Sequence, residues 1–184
     1  MKPPFHKLQR ARASQLLRRF CPDYRAVRIS DVDPNTLLDA GIKAVLLDLD
    51  NTLLPWKGHE IPEESIDWVK KCLAFGLQLC LVSNTRNRPR LMKLSELLGV
   101  PFVVGKMKPS REMFIHALKL LDAKSTETVM VGDQMFTDIW GGNRMGIRTI
   151  WVEPIAKREF FGTKISRVAE RIVKRALRKA EDIS

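Results

Sequence analysis

The sequence predicts an α/β fold in which one parallel sheet is covered by helices on both faces. Between Ile42 and Val152, short runs rich in Val, Ile and Leu alternate with longer segments of helical periodicity. The short runs lack a clean apolar–polar alternation, as strands buried on both faces do. Glycines stand just past three of the helical segments, where a left-handed residue commonly ends a helix. Alternation of this kind argues for a three-layer sandwich with a central parallel sheet. Sites in such folds form at the carboxyl ends of the strands.

In chain order, residues 1–28 read as a basic extension, with Lys7–Phe20 helical and an irregular apolar face at Leu8, Leu16, Leu17 and Phe20. An alternating core over about 42–155 follows. Its predicted strands are Lys43–Leu47, Gln78–Ser83, Pro101–Gly105, Thr128–Gly132 and Arg148–Val152, and its predicted helices are Glu63–Phe75, Pro89–Leu98, Arg111–Leu121 and Asp138–Met145. Gly76, Gly99 and Gly146 are the terminating glycines. Residues 162–180 read as a basic amphipathic helix, with Ile165, Val168, Ile172, Val173 and Leu177 on one face and Lys164, Arg167, Arg171, Lys174 and Arg178 on the other. A helix of this kind lies on an anionic membrane or packs its apolar stripe on the domain, and both readings stand.

With 184 residues the chain suits one domain. No run reaches the roughly 18 apolar residues of a membrane span, and no signal-peptide core follows the basic N-terminus. The expected location is cytoplasmic, peripheral at a membrane if the basic ends dock there. Cys21, Cys72 and Cys80 are odd in number and lack zinc spacing, so they read as free thiols. The net charge of +11 is uneven: residues 1–28 carry +7, residues 157–184 carry +5, and the body between carries −1. Such asymmetry suits an anionic partner, either a membrane surface or a nucleic acid.

Candidate chemistry begins at Val45-Leu46-Leu47-Asp48-Leu49-Asp50-Asn51-Thr52, an apolar strand ending in two acids one residue apart. Carboxylates so placed repel each other and favour a cation between them, and hard oxygen ligands suit Mg²⁺. Later strands end in matching chemistry. Ser83-Asn84-Thr85 offers a hydroxyl and backbone donors to a phosphate oxygen, Lys108-Pro109-Ser110 offers a cation, and Gly132-Asp133-Gln134 offers a third carboxylate, with Asp138 beyond. Each alone fits an ordinary cap or turn; the four in order on successive strands point to one site.

These segments resemble the four motifs of the haloacid dehalogenase (HAD) superfamily over residues 43–152. The resemblance implies a HAD-like Rossmannoid fold. It also implies a Mg²⁺-dependent phosphomonoester hydrolase working through an aspartyl-phosphate. Catalytic residues would be Asp48 as nucleophile and Asp50 as general acid and base. Ser83, Asn84 and Lys108 would hold the phosphoryl group, and Asp48, Asp50 (through its carbonyl) and Asp133 the metal. Asp138 either supports the metal's water shell or begins the next helix. The wording of the motifs, including Thr137-Asp138 and Gly141-Gly142-Asn143-Arg144, is similar to the YqeG-type phosphatases of subfamily IIIA. Relatives of that group include the mitochondrial phosphatidylglycerophosphate phosphatase, so the expected substrate is an anionic phospholipid monoester.

Asp48 and Ser83 stand 35 positions apart, and Ser83 and Lys108 stand 25 apart. A turn, one helix and one strand fill each interval, so no large cap domain is expected. An open site suits a large or surface-presented substrate, though some capless members oligomerise to cover theirs. The competing enzyme reading is a phosphatase of nucleotides or polynucleotide ends; against it, aromatic residues are only 7% and no basic patch is interleaved with them. A catalytically silent basic docking module would show damage at Asp48 or Asp50, and both are intact.

Overall fold

The structure is a computed structural model and describes residues 5–7, 17–56 and 58–156. Two short strands come first, β1 (Phe5–Lys7) and β2 (Tyr24–Ala26), followed by α1 (Pro34–Asp39). The core continues with β3 (Ala44–Leu47), α2 (Glu63–Ala74), β4 (Gln78–Val82), α3 (Arg88–Leu98) and β5 (Phe102–Val103). Then come α4 (Arg111–Leu120), β6 (Thr128–Gly132), a π-helical turn at Met135–Ile139, α5 (Trp140–Arg144) and β7 (Arg148–Val152).

The seven strands form one sheet in the order β1-β2-β7-β6-β3-β4-β5. All neighbours are parallel except β1 and β2. From β3 the chain moves outward through β4 and β5, then returns across the sheet to β6 on the other side of β3. Connections thus leave in opposite directions between β3 and β6, and ligands in open α/β sheets bind at such a reversal.

Successive residues of the central strands enter two different cores, which is why these strands read as continuous apolar runs. Val45, Leu47, Leu79, Leu81, Val129 and Val131 face a core built with Leu37, Trp68, Val69, Leu91 and Leu94 from α1, α2 and α3. Leu46, Cys80, Val82 and Met130 face the opposite core with Met113, Phe114 and Ala117 from α4. Burying a side chain such as Phe114 or Leu47 contributes roughly 1.5–3 kcal/mol relative to exposure. The three-layer arrangement agrees with expectation. Among the described residues, one helix and no inserted domain lies between β3 and β4, and likewise between β4 and β5. The helix ends also agree: Gly76, Gly99 and Gly146 adopt φ of 81°, 66° and 69°.

Several expectations need correction. The segment 1–28 is more than an extension, because it supplies β2 and β1 to the sheet edge beside β7. Lys7, expected in a helix, lies in β1, and Leu17–Phe20 forms a 3₁₀ turn. Residues 8–16 fall outside the described residues, as does the amphipathic segment 162–180. Asp138 does not open a helix; it lies inside the π turn before α5. The thiols of Cys72 and Cys80 are buried and pushed up to about 12, chiefly by desolvation, which suits inert packing. No helix among the described residues is long and apolar enough to cross a membrane.

Candidate active site

The carboxyl ends of β3, β4 and β6 converge with the loop that precedes α4. Asp48 follows β3 directly and still donates its N–H to Val131 O of β6 at 2.9 Å. The chain then folds tightly back, with the N–H groups of Thr52, Leu53 and Leu54 all directed at Leu49 O, 3.0–3.4 Å away. Asn51 takes the left-handed conformation this needs, at φ 66°, where asparagine is among the best tolerated non-glycine residues. Its side-chain oxygen accepts from Trp56 N–H at 3.2 Å.

Lys108 lies at the centre of the site. Its ammonium donates to Asp48 Oδ1 at 2.5 Å and to Asp138 Oδ1 at 2.7 Å. All three side chains are buried, with Lys108 1% exposed. Thr52 Oγ1 donates to the other Asp48 oxygen at 3.2 Å. Burial raises Asp48 to about 7; Lys108 opposes the rise, and the like charge of Asp138 adds to it. The two carboxylates in turn push Lys108 above its ordinary value despite its desolvation, so it remains a cation.

Asp133 follows β6, and the Trp151 indole holds its backbone by donating to Asp133 O at 2.8 Å. Asp138 folds back from the π turn, where its Oδ2 accepts from Gln134 N–H at 3.0 Å. Turns of this kind often mark functional positions, because the extra residue re-aims a side chain. A Cβ on Gly132 would overlap the Asp138 carboxylate, so glycine makes room for that acid. Asp48, Asp133 and Asp138 each offer an oxygen within 4.8 Å of the others. Three carboxylates against one lysine leave a formal charge of −2. This hard, anionic oxygen set suits Mg²⁺, which would balance it.

The other expected residues divide. Ser83 is buried at the end of β4, and its Oγ accepts from Thr85 N–H at 3.2 Å. Asn84 was expected among the phosphate-holding groups, but both ends of its side chain engage the Lys108 backbone. Its amide donates to Lys108 O at 3.1 Å, and its oxygen accepts from Lys108 N–H at 2.6 Å. It therefore orients the lysine. Asp50 does not join the carboxylate cluster; Arg90 grips it through Nη2 to Oδ1 at 2.8 Å and Nη1 to Oδ2 at 3.3 Å. Arg90 is 5% exposed, and its Nε also donates to Gly58 O at 2.7 Å. Sequence reading missed Arg90, which looks like its exposed neighbours Arg86 and Arg88.

The HAD-hydrolase-like family profile matches residues 106–154, the stretch that holds Lys108, Asp133 and Asp138. Among solved structures, an uncharacterized protein from Listeria monocytogenes serotype 4b has the same fold. Its TM-score is 0.51 at 19% identity, covering 73% of this chain and 99% of that one. The profile marks a HAD-like segment of the chain, and the neighbour shares its fold. Over 160 residues the chain is 35% identical to the probable phosphatase YqeG of Bacillus subtilis, covering 87% of this chain and 92% of that protein. The chain belongs to this family of HAD-like phosphatases. It is also 29% identical over 158 residues to phosphatidylglycerophosphate phosphatase 1 of Arabidopsis thaliana, covering 80% of this chain. There it spans 45% of that protein's length.

Proposed function

We propose that this phosphatase hydrolyses phosphomonoesters through an aspartyl-phosphate at Asp48, and that its substrate is phosphatidylglycerophosphate. The observation that carries the mechanism is the buried Asp48–Lys108–Asp138 cluster beside Asp133 at the reversal point of the sheet. In the first half-reaction an Asp48 oxygen bonds to phosphorus as the bond to the leaving alcohol breaks, and Asp50 gives its proton to the departing oxygen. In the second, water bonds to phosphorus, Asp50 takes its proton, and the Asp48–phosphorus bond breaks to release phosphate. Lys108 and Ser83 hold the phosphoryl oxygens; Arg90 donates to both Asp50 oxygens in the resting site, so Asp50 leaves that pair and takes up a proton from water before it protonates the leaving oxygen. Asp48 and Asp133, with the Asp50 carbonyl, would hold Mg²⁺, and the Asp138 carboxylate beside them would add to the negative charge that draws it. When bound, the ion supplies positive charge against the phosphoryl oxygens in the transition state.

Support for the lipid comes from the phosphatidylglycerophosphate phosphatase relative and from the two basic ends of the sequence. Near an anionic surface each Lys or Arg contributes about 1 kcal/mol of attraction. The test is phosphate release with Mg²⁺ from phosphatidylglycerophosphate in anionic vesicles, beside a soluble panel of nucleotides and sugar phosphates. Turnover of the lipid that disappears in Asp48→Asn is expected. Turnover confined to the soluble panel would remove the lipid and keep the mechanism; turnover undiminished by Asp48→Asn would remove the mechanism.

A further inference from the structure

A cleft of about 390 Å³ opens beside the catalytic cluster, between the residues that follow β4 and those that follow β5. Ser83 and Asn84 form its inner end, so it begins at phosphoryl-holding Ser83 and at the residue that orients Lys108. Arg86, Arg88 and Lys106 line it further out, and no carboxylate lines it. Lys106 pairs with Glu112 at 3.3 Å. Arg86 and Arg88 are exposed and make no ion pair among the described residues. Two unpaired guanidinium groups with no acid beside them make a planar, multidentate recognition site for phosphate. The remaining wall is aliphatic: Val104 and Met107 stand 44% and 51% exposed, and no aromatic ring lines the cleft.

We infer that this cleft is the leaving-group subsite, and that it takes an alcohol carrying a phosphodiester of its own on an aliphatic glycerol frame. The inference rests on the phosphatase reading above and assigns Arg86, Arg88 and this cleft to its leaving group. With the scissile phosphoryl group at Ser83 and Lys108, the departing alcohol enters the cleft, where Arg86 and Arg88 meet its second phosphate. Val104 and Met107 pack against its carbon chain. A phosphorylated polynucleotide end also carries a nearby phosphodiester. Its bases, however, would need aromatic faces to stack on, and this wall offers none.

The test uses three soluble substrates: glycerol 3-phosphate, the deacylated head group glycerophosphoglycerophosphate, and a 5′-phosphorylated dinucleotide. Wild-type kcat/KM is expected to favour the head group over glycerol 3-phosphate by at least about tenfold, the value of one charge-assisted contact. In Arg86→Gln/Arg88→Gln that ratio falls by a similar factor. An unchanged ratio overturns the subsite, and preference for the dinucleotide assigns the cleft to nucleic acid instead. Binding of the product glycerophosphoglycerol, followed by NMR titration, requires no turnover and so separates failure of the subsite from failure of the phosphatase reading. Its Kd is expected to rise about tenfold in the double variant; no binding, or an unchanged Kd, overturns the inference.

Discussion

Replacing Lys108 with methionine keeps most of the side-chain volume and removes the cation that pairs with both Asp48 and Asp138. Their ligand oxygens lie within 4.8 Å of each other. At an effective dielectric of about 20, two unit charges at that distance repel by roughly 3–4 kcal/mol. Breaking a buried ion pair from one side costs a similar amount, about 3–5 kcal/mol. We expect metal-free Lys108→Met to lose about 3–5 kcal/mol at pH 8, a large part of a typical domain's stability. The sign with pH follows from Asp48. Its carboxyl titrates near 7 in the folded chain, against 3.8 as its ordinary value, so the native state holds more protons between these pH values. Metal-free stability therefore falls as pH rises through that window. In the variant one carboxyl can take a proton at pH 5.5 and relieve the repulsion, so the loss shrinks there. Urea unfolding in EDTA, followed by fluorescence of buried Trp68 and Trp151, measures both values. A loss below about 1 kcal/mol at pH 8, or the same loss at both pH values, refutes the reasoning.

Arg90→Met is expected to lower kcat by about 10- to 100-fold on alkyl phosphates, below the full range for losing a general acid. It should change little on p-nitrophenyl phosphate, whose leaving group needs no proton; equal losses on both would reduce Arg90 to a structural role. Gly132→Ala should displace the Asp138 carboxylate, costing about 1–3 kcal/mol of stability and weakening Mg²⁺ binding at least tenfold by calorimetry. Trp68→Phe removes the indole bond to Val32 O at 2.6 Å, and thermal unfolding should show a loss of about 1–3 kcal/mol from the stranded carbonyl.

The central sheet was legible because its strands are buried on both faces, which leaves few polar positions, such as Gln78 and Arg148 at strand starts, to blur the pattern. β6 and β7 have the expected limits. β1 and β2 were not legible: Phe-His-Lys and Tyr-Arg-Ala are three residues each, too short for any period, and their charged members conceal strand character. α1 had a local signal, with Asp33 capping Asn35 N–H at 3.3 Å and Pro34 at the first position, but six residues give fewer than two turns. In the site, Asp48, Ser83 and Asp133 stood out because each directly follows a strand, and Lys108 because it lies in the loop just before α4; the structure brings Asp48, Lys108 and Asp133 together. Asp138 stayed ambiguous because a π turn has no sequence signature. The sequence placed Asp50 beside Asp48, yet the fold at Asn51 directs its side chain to Arg90, 40 positions on. No local spacing encodes such a contact.

The pairing of β2 with β7 brings Tyr24 beside Ile150. Around it, Thr149 N–H donates to Asp23 Oδ2 at 2.8 Å across 126 positions, and Arg25 pairs with Glu153 at 2.8 Å. During synthesis the strand made early therefore emerges before its partner exists, and must wait while β3 to β6 are laid down. Closing so long a loop adds little entropy cost beyond a short one, since the cost grows only with the logarithm of length. The consequence is one of timing: β2 can be fastened to the sheet only after β7, the last described strand, has been made.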